Sequence, residues 1–207
     1  VLALPEDMLS AETDAEAAPA ATLPQGGAPE DQITRVVDAV AAAANPFLIV
    51  GGGGWTGDAA RALGDFAAHA QIPVGASFRC QDYLDNRHPN YAGDVGLGIN
   101  PKLEARVKEA DLLVALGTRL GEITSGGYTR LVPPVPAQRL VHIYNDPSEI
   151  GRVFRPEIAV TGNVAAITRQ LAEAARAPDT DRGDQVKAAR AAYEAWQEPV
   201  ETPGDLK

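Results

Sequence analysis

Only one cysteine, Cys80, stands among the 207 residues, which excludes an intrachain disulfide framework and a cysteine-rich zinc site. Aromatic residues make up 5% of the chain, so its core must be built mainly from small and branched aliphatic side chains. Basic residues are the minority. Eighteen Lys and Arg stand against 28 Asp and Glu, for a formal net charge of −10. Neutralising a phosphate backbone or an anionic lipid surface needs clustered Lys and Arg. No such cluster is present, so neither nucleic acid nor a membrane is expected as a partner. No apolar run approaches the roughly 18 to 20 residues that cross a bilayer. The amino-terminal residues also lack the basic and long apolar regions of a secretory signal. Together with the lone cysteine, these absences make the cytoplasm the expected compartment.

At 207 residues the chain is long enough for one sizeable core with appendages, and a second full domain is not expected. The start, Val1-Leu-Ala-Leu-Pro5, reads as the last strand of a preceding domain, ending near residue 9. Residues 10–29 are rich in Ala, Pro, Glu and Gly without periodicity, a linker composition. Residues 30–177 form the expected central domain. A Pro/Asp break at Ala177-Pro178-Asp179, an amphipathic stretch from Val186 to Trp196 and a Pro-Gly tail make residues 178–207 a second linker, toward a further domain.

Between the linkers, strand-like and helix-like segments alternate, as expected of a parallel sheet with helices on both faces. Ile33, Val36, Val37 and Val40 recur at helical spacing after Pro29-Glu30-Asp31. Phe47–Val50 reads as a first buried strand, Gly57–Ala70 as a helix and Ile72–Ser77 as a second strand. Phe78–Asn100 has no clear period and is expected to be a long loop. A helix over Pro101–Ala110 leads to a strand at Leu112–Gly117, then come strands at Leu140–Tyr144 and Ile158–Gly162, and a closing helix carries Val164, Ile167 and Leu171.

In parallel sheets, ligands sit outside the carboxyl ends of the strands. Those ends hold Gly51–Thr56, Phe78 and Arg79, Gly117–Arg119, Asn145 and Asp146, and Gly162 with Asn163. The run Gly51-Gly52-Gly53-Gly54 before a helix start is suited to bringing backbone N–H groups against a diphosphate. Its spacing departs from Gly-x-Gly-x-x-Gly, because Gly54, Trp55 and Thr56 separate Gly53 from Gly57. Arg119 could pair with a phosphate and Asp146 could accept from a ribose hydroxyl. The plain alternative is a set of ordinary strand-to-helix turns, with Asp146-Pro147-Ser148-Glu149 simply opening a helix. His69, His88 and His142 are scattered and form no ligand cluster, so no catalytic residue and no metal ligand is expected. His142 reads as a buried strand residue and Cys80 as a packing residue.

These strand ends also carry a resemblance. Leu4–Leu9 resembles the segment that closes the pyrimidine-binding domain of thiamine-diphosphate-dependent enzymes of the acetolactate synthase type. Asn45-Pro-Phe-Leu-Ile-Val-Gly-Gly-Gly53 resembles the first strand of their central domain. Asp111-Leu-Leu-Val-Ala-Leu-Gly-Thr-Arg119, His142–Gly151 and Ile158–Asn163 resemble its later landmarks, in order and spacing. The resemblance implies a six-stranded parallel sheet of the kind shared with sirtuins and deoxyhypusine synthase. In the thiamine-diphosphate-dependent family the corresponding site holds FAD in acetolactate synthases and ADP in oxalyl-CoA decarboxylases and is left largely unused in pyruvate and benzoylformate decarboxylases; by position Gly52 and Gly53 would approach the diphosphate, Gly117, Thr118 and Arg119 would line the nucleotide, and Asn145 and Asp146 would lie near the adenosine. Arg119-Leu-Gly-Glu-Ile123 departs from the Arg-Phe-Asp-Asp-Arg of acetolactate synthases, and Tyr144-Asn-Asp146 from their Asp-Ile-Asp.

For a full-length parent the resemblance implies 2-oxo acid decarboxylation and carboligation, in a homo-oligomer. Thiamine diphosphate and magnesium would be bound outside this chain, by flanking pyrimidine- and diphosphate-binding domains. The Gly-Asp pairs here, such as Gly93-Asp94, lack the following Gly of the family's magnesium motif, so the chain alone is expected to be inactive. Two alternatives share the fold: a free-standing nucleotide-binding regulatory module, and a sirtuin-like deacylase, which one cysteine makes a poor match for a zinc module.

Overall fold

The computed structural model describes residues 3–22 and 25–199. Its centre is a six-stranded, wholly parallel sheet in the order β3-β2-β1-β4-β5-β6, formed by β1 Pro46–Val50, β2 Val74–Ser77, β3 Tyr91–Val95, β4 Leu112–Leu116, β5 Arg139–Tyr144 and β6 Ile158–Thr161. This is the α/β architecture that the alternating pattern predicts. All residues of β1, β2 and β4 are buried. A strand covered on both faces sends alternate side chains into two cores, and β1 does so. Leu48 and Val50 join one core with α2 (Glu30–Ala42), α3 (Gly57–His69) and α6 (Val164–Glu173), whereas Phe47 and Ile49 join a second with α4 (Pro101–Glu109). Each such side chain contributes about 1.5–3 kcal/mol on burial.

The helices begin where local chemistry satisfies their first N–H groups. The Thr56 side chain accepts from the Ala59 N–H in α3, Asn100 from Lys102 in α4, and Asn163 from Ala166 in α6. Such caps contribute roughly 1 kcal/mol each.

One expectation is corrected. The stretch 78–100 is not a featureless loop: it holds a 3-10 turn at Gln81–Tyr83 and the edge strand β3. Five residues containing Gly93 at φ +119° and Asp94 give no strand signal, since both residue types are poor strand formers. Pairing supplies what propensity does not. β3 runs parallel to β2, with a register irregularity at Val74/Gly75, and its exposed side is covered by α7 (Gly183–Gln197). There the Tyr193 ring meets Tyr91 edge-on, with centroids 5.0 Å apart.

Both linker-like stretches make contacts with this unit. Ala28 exchanges two 2.9 Å hydrogen bonds with the Gln170 amide, and the Asn163 N–H donates to the Gly26 carbonyl. Beyond α6, Arg182 is 1% exposed. Its guanidinium donates to the carbonyls of Val40 and Ala43 at 2.7 Å each and to that of Ala70, so one side chain caps the carboxyl ends of both α2 and α3. At the start, Ala3–Pro5 are irregular and Glu6–Leu9 form a short exposed helix, α1. The rest of the strand expected there, Val1 and Leu2, lies outside the described residues, as does the Pro-Gly tail.

Candidate functional site

Chain order reverses between β1 and β4: β1 to β3 run to one side and β4 to β6 to the other. The crevice outside the carboxyl ends at such a reversal is where α/β sheets bind ligands. Gly51–Thr56 and Gly117–Arg119 lie at this switch point, so the structure brings both predicted glycine segments together. The ladder continues one residue past the strands, with Gly51 N–H on the Leu116 carbonyl at 3.1 Å and Gly117 N–H on that of Ile143 at 2.8 Å.

The glycines divide into two groups. A Cβ on Gly51 would lie 2.0 Å from the Ser77 hydroxyl, one on Gly52 would lie 1.8 Å from the Gly117 carbonyl oxygen, and one on Gly117 would lie 2.5 Å from that of Gly51. Gly52 and Gly117 also sit at φ +69° and +76°, a region that disfavours any side chain. Loop packing therefore accounts for these three. Gly53 differs: a Cβ there would meet nothing within 4 Å, and its φ lies outside the left-handed region. Among the described residues, nothing requires glycine at position 53.

Two aromatic residues orient the turn. The Trp55 Nε1–H donates to the Gly51 carbonyl at 2.9 Å, the Tyr83 hydroxyl donates to the Gly52 carbonyl, and the two rings stack with centroids 5.0 Å apart. In a planar trans peptide the C=O and the following N–H point in opposite directions. Drawing the Gly51 and Gly52 carbonyls toward the stacked rings thus turns the N–H groups of Gly52 and Gly53 away from them. Consecutive N–H groups aimed to one side form an anion-accepting concavity. Burial and the neighbouring Cys80 and Asp82 push the Tyr83 phenol up to about 12, so it remains a donor.

Across the crevice, Thr118 is 5% exposed. Its carbonyl takes the His142 Nε2–H at 2.9 Å, and its hydroxyl accepts from the Leu120 N–H at 3.4 Å. That inward bonding throws Arg119 outward, where it is exposed, and leaves buried Leu120 at φ +55°, just ahead of the short helix α5 (Glu122–Ser125). His142 is buried on β5, as its sequence setting predicts, and burial pushes its imidazole below the usual value, although the Thr118 contact and Glu149 act the other way.

Asn145 and Asp146 follow β5 and are exposed. Asp146 Oδ1 accepts from both the N–H and the hydroxyl of Ser148, at 2.9 and 2.7 Å, which lowers its pKa. This motif closes a turn, so residues 146–149 do not open the helix that the plain alternative predicts. Among the described residues no three His, Cys, Asp or Glu side chains converge on a metal site, and no helix is long and apolar enough to cross a membrane. Sequence reasoning passed over Tyr83, which sits in the supposed loop, and took Trp55 only as spacing. Trp55 carries a local signal, an aromatic N–H four residues past Gly51 in a glycine turn whose carbonyls need donors, whereas Tyr83, 31 residues from Gly52, carries none.

The fold is thus that of an α/β domain with a six-stranded parallel sheet. The sequence profile "Thiamine pyrophosphate enzyme, central domain" matches residues 33–171, and the chain belongs to that family. It is 31% identical to the acetolactate synthase of Mycobacterium avium over 145 residues, covering 70% of this chain and 23% of that protein. With the acetolactate synthase large subunit of Corynebacterium glutamicum the identity is 27%, over 98% of this chain and 33% of the other. With the sulfoacetaldehyde acetyltransferase of Alcaligenes xylosoxydans xylosoxydans it is 26%, over 92% and 31%. The chain thus spans between 23% and 33% of the length of these relatives.

Proposed function

We propose that this chain serves as the central domain of a thiamine-diphosphate-dependent enzyme of the acetolactate synthase type, and that its switch point holds the diphosphate of a nucleotide, FAD or ADP. The observation that carries the nucleotide reading is the pair of hydrogen bonds by which Trp55 and Tyr83 hold the Gly51 and Gly52 carbonyls, which leaves the following N–H groups of Gly52 and Gly53 turned away from those rings. Gly53, free of any internal requirement for glycine, lets the diphosphate approach the backbone. Gly117 lets the second loop close against the first. Thr118, tied down by His142, orients Arg119 toward a phosphate oxygen. Asn145 and Asp146 stand at the next strand end, where a ribose or adenine would lie.

Thiamine diphosphate supplies the electron sink for 2-oxo acid decarboxylation when bound. We assign it and its magnesium to flanking pyrimidine- and diphosphate-binding domains of a homo-oligomeric, cytoplasmic parent. Supporting the flanking domains are the family itself and the share of its relatives that the chain spans. The domain then contributes scaffold and nucleotide site, and no catalytic residue of its own.

Calorimetric titration of the 207-residue chain with FAD, ADP and adenosine tests the nucleotide reading. Binding of FAD or ADP at least tenfold tighter than adenosine is expected, and absence of binding by both diphosphates contradicts it. Expressing the uninterrupted reading frame tests the parent: decarboxylation of a 2-oxo acid that depends on added thiamine diphosphate is expected, and none contradicts the enzymatic assignment.

A further inference from the structure

A second arginine stands at the switch point. Ala76, Val50 and Leu116 are in register across β2, β1 and β4, and the residues three positions past them are Arg79, Gly53 and Arg119. In the strand order β2-β1-β4 the loops on either side of the one that holds Gly53 thus carry one arginine each, and the Cβ position of Gly53 is open and unstrained. The loop that carries Arg79 touches the glycine turn on either side of it: the Ser77 hydroxyl lies against Gly51 and the Tyr83 hydroxyl donates to Gly52.

Arg79 itself is held at a conformational cost. The Cys80 N–H donates to the Ser77 carbonyl at 3.0 Å, closing a turn in which Arg79 is the third residue, at φ +63°. Glycine or asparagine is the ordinary occupant of that position. Strained non-glycine residues of this kind cluster at ligand clamps. The side chain is exposed, its guanidinium lies 5.1 Å from the Phe78 ring centroid, and like Arg119 it makes no ion pair among the described residues. In a chain with a net charge of −10, two guanidinium groups without an ion pair among the described residues, one on each loop neighbouring the glycine turn, supply positive charge at this end of the sheet.

We propose that Arg79 is a second anion-binding residue of this site, clamping the diphosphate of a nucleotide between its guanidinium and that of Arg119, over Gly53. The inference rests on the nucleotide reading above. Stacking on Phe78 reduces the freedom that Arg79 loses on binding, and the strained turn fixes where its side chain leaves the backbone.

The test uses the 207-residue chain and its Arg79→Gln, Arg79→Gly and Arg119→Gln variants, titrated with ADP, inorganic pyrophosphate and adenosine at several salt concentrations. Arg79→Gln should weaken ADP and pyrophosphate by about tenfold, leave adenosine unchanged and flatten the dependence of log affinity on log salt. Arg79→Gly should lose the same affinity while its urea midpoint stays equal to or above that of the wild type, because glycine suits the turn. Wild-type affinity for ADP in Arg79→Gln, with Arg119→Gln impaired, overturns the role of Arg79 and leaves the nucleotide reading standing. Loss of stability and affinity together in Arg79→Gly assigns the residue to the scaffold and likewise overturns the proposal. If the wild type binds neither ADP nor pyrophosphate, both readings fall.

Discussion

Gly52 and Gly117 meet backbone to backbone: a Cβ on the first would lie 1.8 Å from the carbonyl oxygen of the second. This contact joins the loops after β1 and β4 and fixes the floor of the switch-point crevice. It also separates two roles for glycine that the sequence runs together. Gly52→Ala should destabilise the domain by at least about 1–3 kcal/mol, the cost of a side chain in left-handed backbone alone, with the steric clash added. Gly53→Ala should leave stability within about 0.5 kcal/mol of wild type and yet weaken nucleotide binding. Urea unfolding and ADP titration of the two variants check the contrast. Equal stability losses would contradict it.

The Trp55–Tyr83 pair should matter to binding more than to folding. Tyr83→Phe keeps the stacked ring and removes only the hydroxyl on the Gly52 carbonyl, so its stability cost should be about 0.5–1.5 kcal/mol. With the Gly52 carbonyl released, the Gly53 N–H loses its fixed direction. ADP affinity should fall severalfold, and calorimetry reads it directly. Unchanged affinity would show that the turn holds its shape without the phenol.

Much of this was legible in sequence, and the parts that were not share a cause. Leu48 and Val50, or Leu112 to Leu116, announce buried strands through unbroken apolar runs, and α2 and α6 through helical spacing. β3 carries no such signal because its stability comes from pairing with β2 and from Tyr193 on α7, a contact with a residue about 100 positions away. The same holds at the site. Gly52, Gly53, Gly117, Thr118 and Arg119 were visible at strand ends, but nothing in sequence says that Tyr83 reaches Gly52 or that His142 holds Thr118. Both links cross between strands, and side-chain reach across a sheet is not encoded in local periodicity.

His142 gives the domain a pH dependence. Burial lowers its folded pKa below the ordinary 6.5, so below that pH the unfolded chain takes up a proton that the folded chain resists. Stability is therefore fully present above about pH 6.5 and declines as pH falls toward the folded value. His142→Gln can still donate to the Thr118 carbonyl but does not titrate. Its urea midpoint should fall less than that of wild type between pH 7.5 and 5.5. Parallel falls in the two proteins would assign the acid sensitivity elsewhere, for instance to His88, which burial lowers in the same way.

Arg182 should be among the most costly residues to replace. Its guanidinium serves the terminal carbonyls of α2 and α3, and hydrogen bonds to a charged group contribute about 1.5–3 kcal/mol each. Arg182→Ala should destabilise by at least about 3 kcal/mol. It should also raise amide hydrogen exchange along α7, whose amino end it anchors. A variant with wild-type exchange in α7 would contradict that anchoring role.

The most direct test of the central claim is a 1H–15N correlation spectrum of the 207-residue chain recorded during titration with ADP. The account predicts that the Gly52 and Gly53 amides shift most, downfield as they acquire a phosphate acceptor, with Arg119 following and the α7 amides still. Saturation of the titration with Gly52 and Gly53 unmoved, or no shift at millimolar ADP, would contradict it.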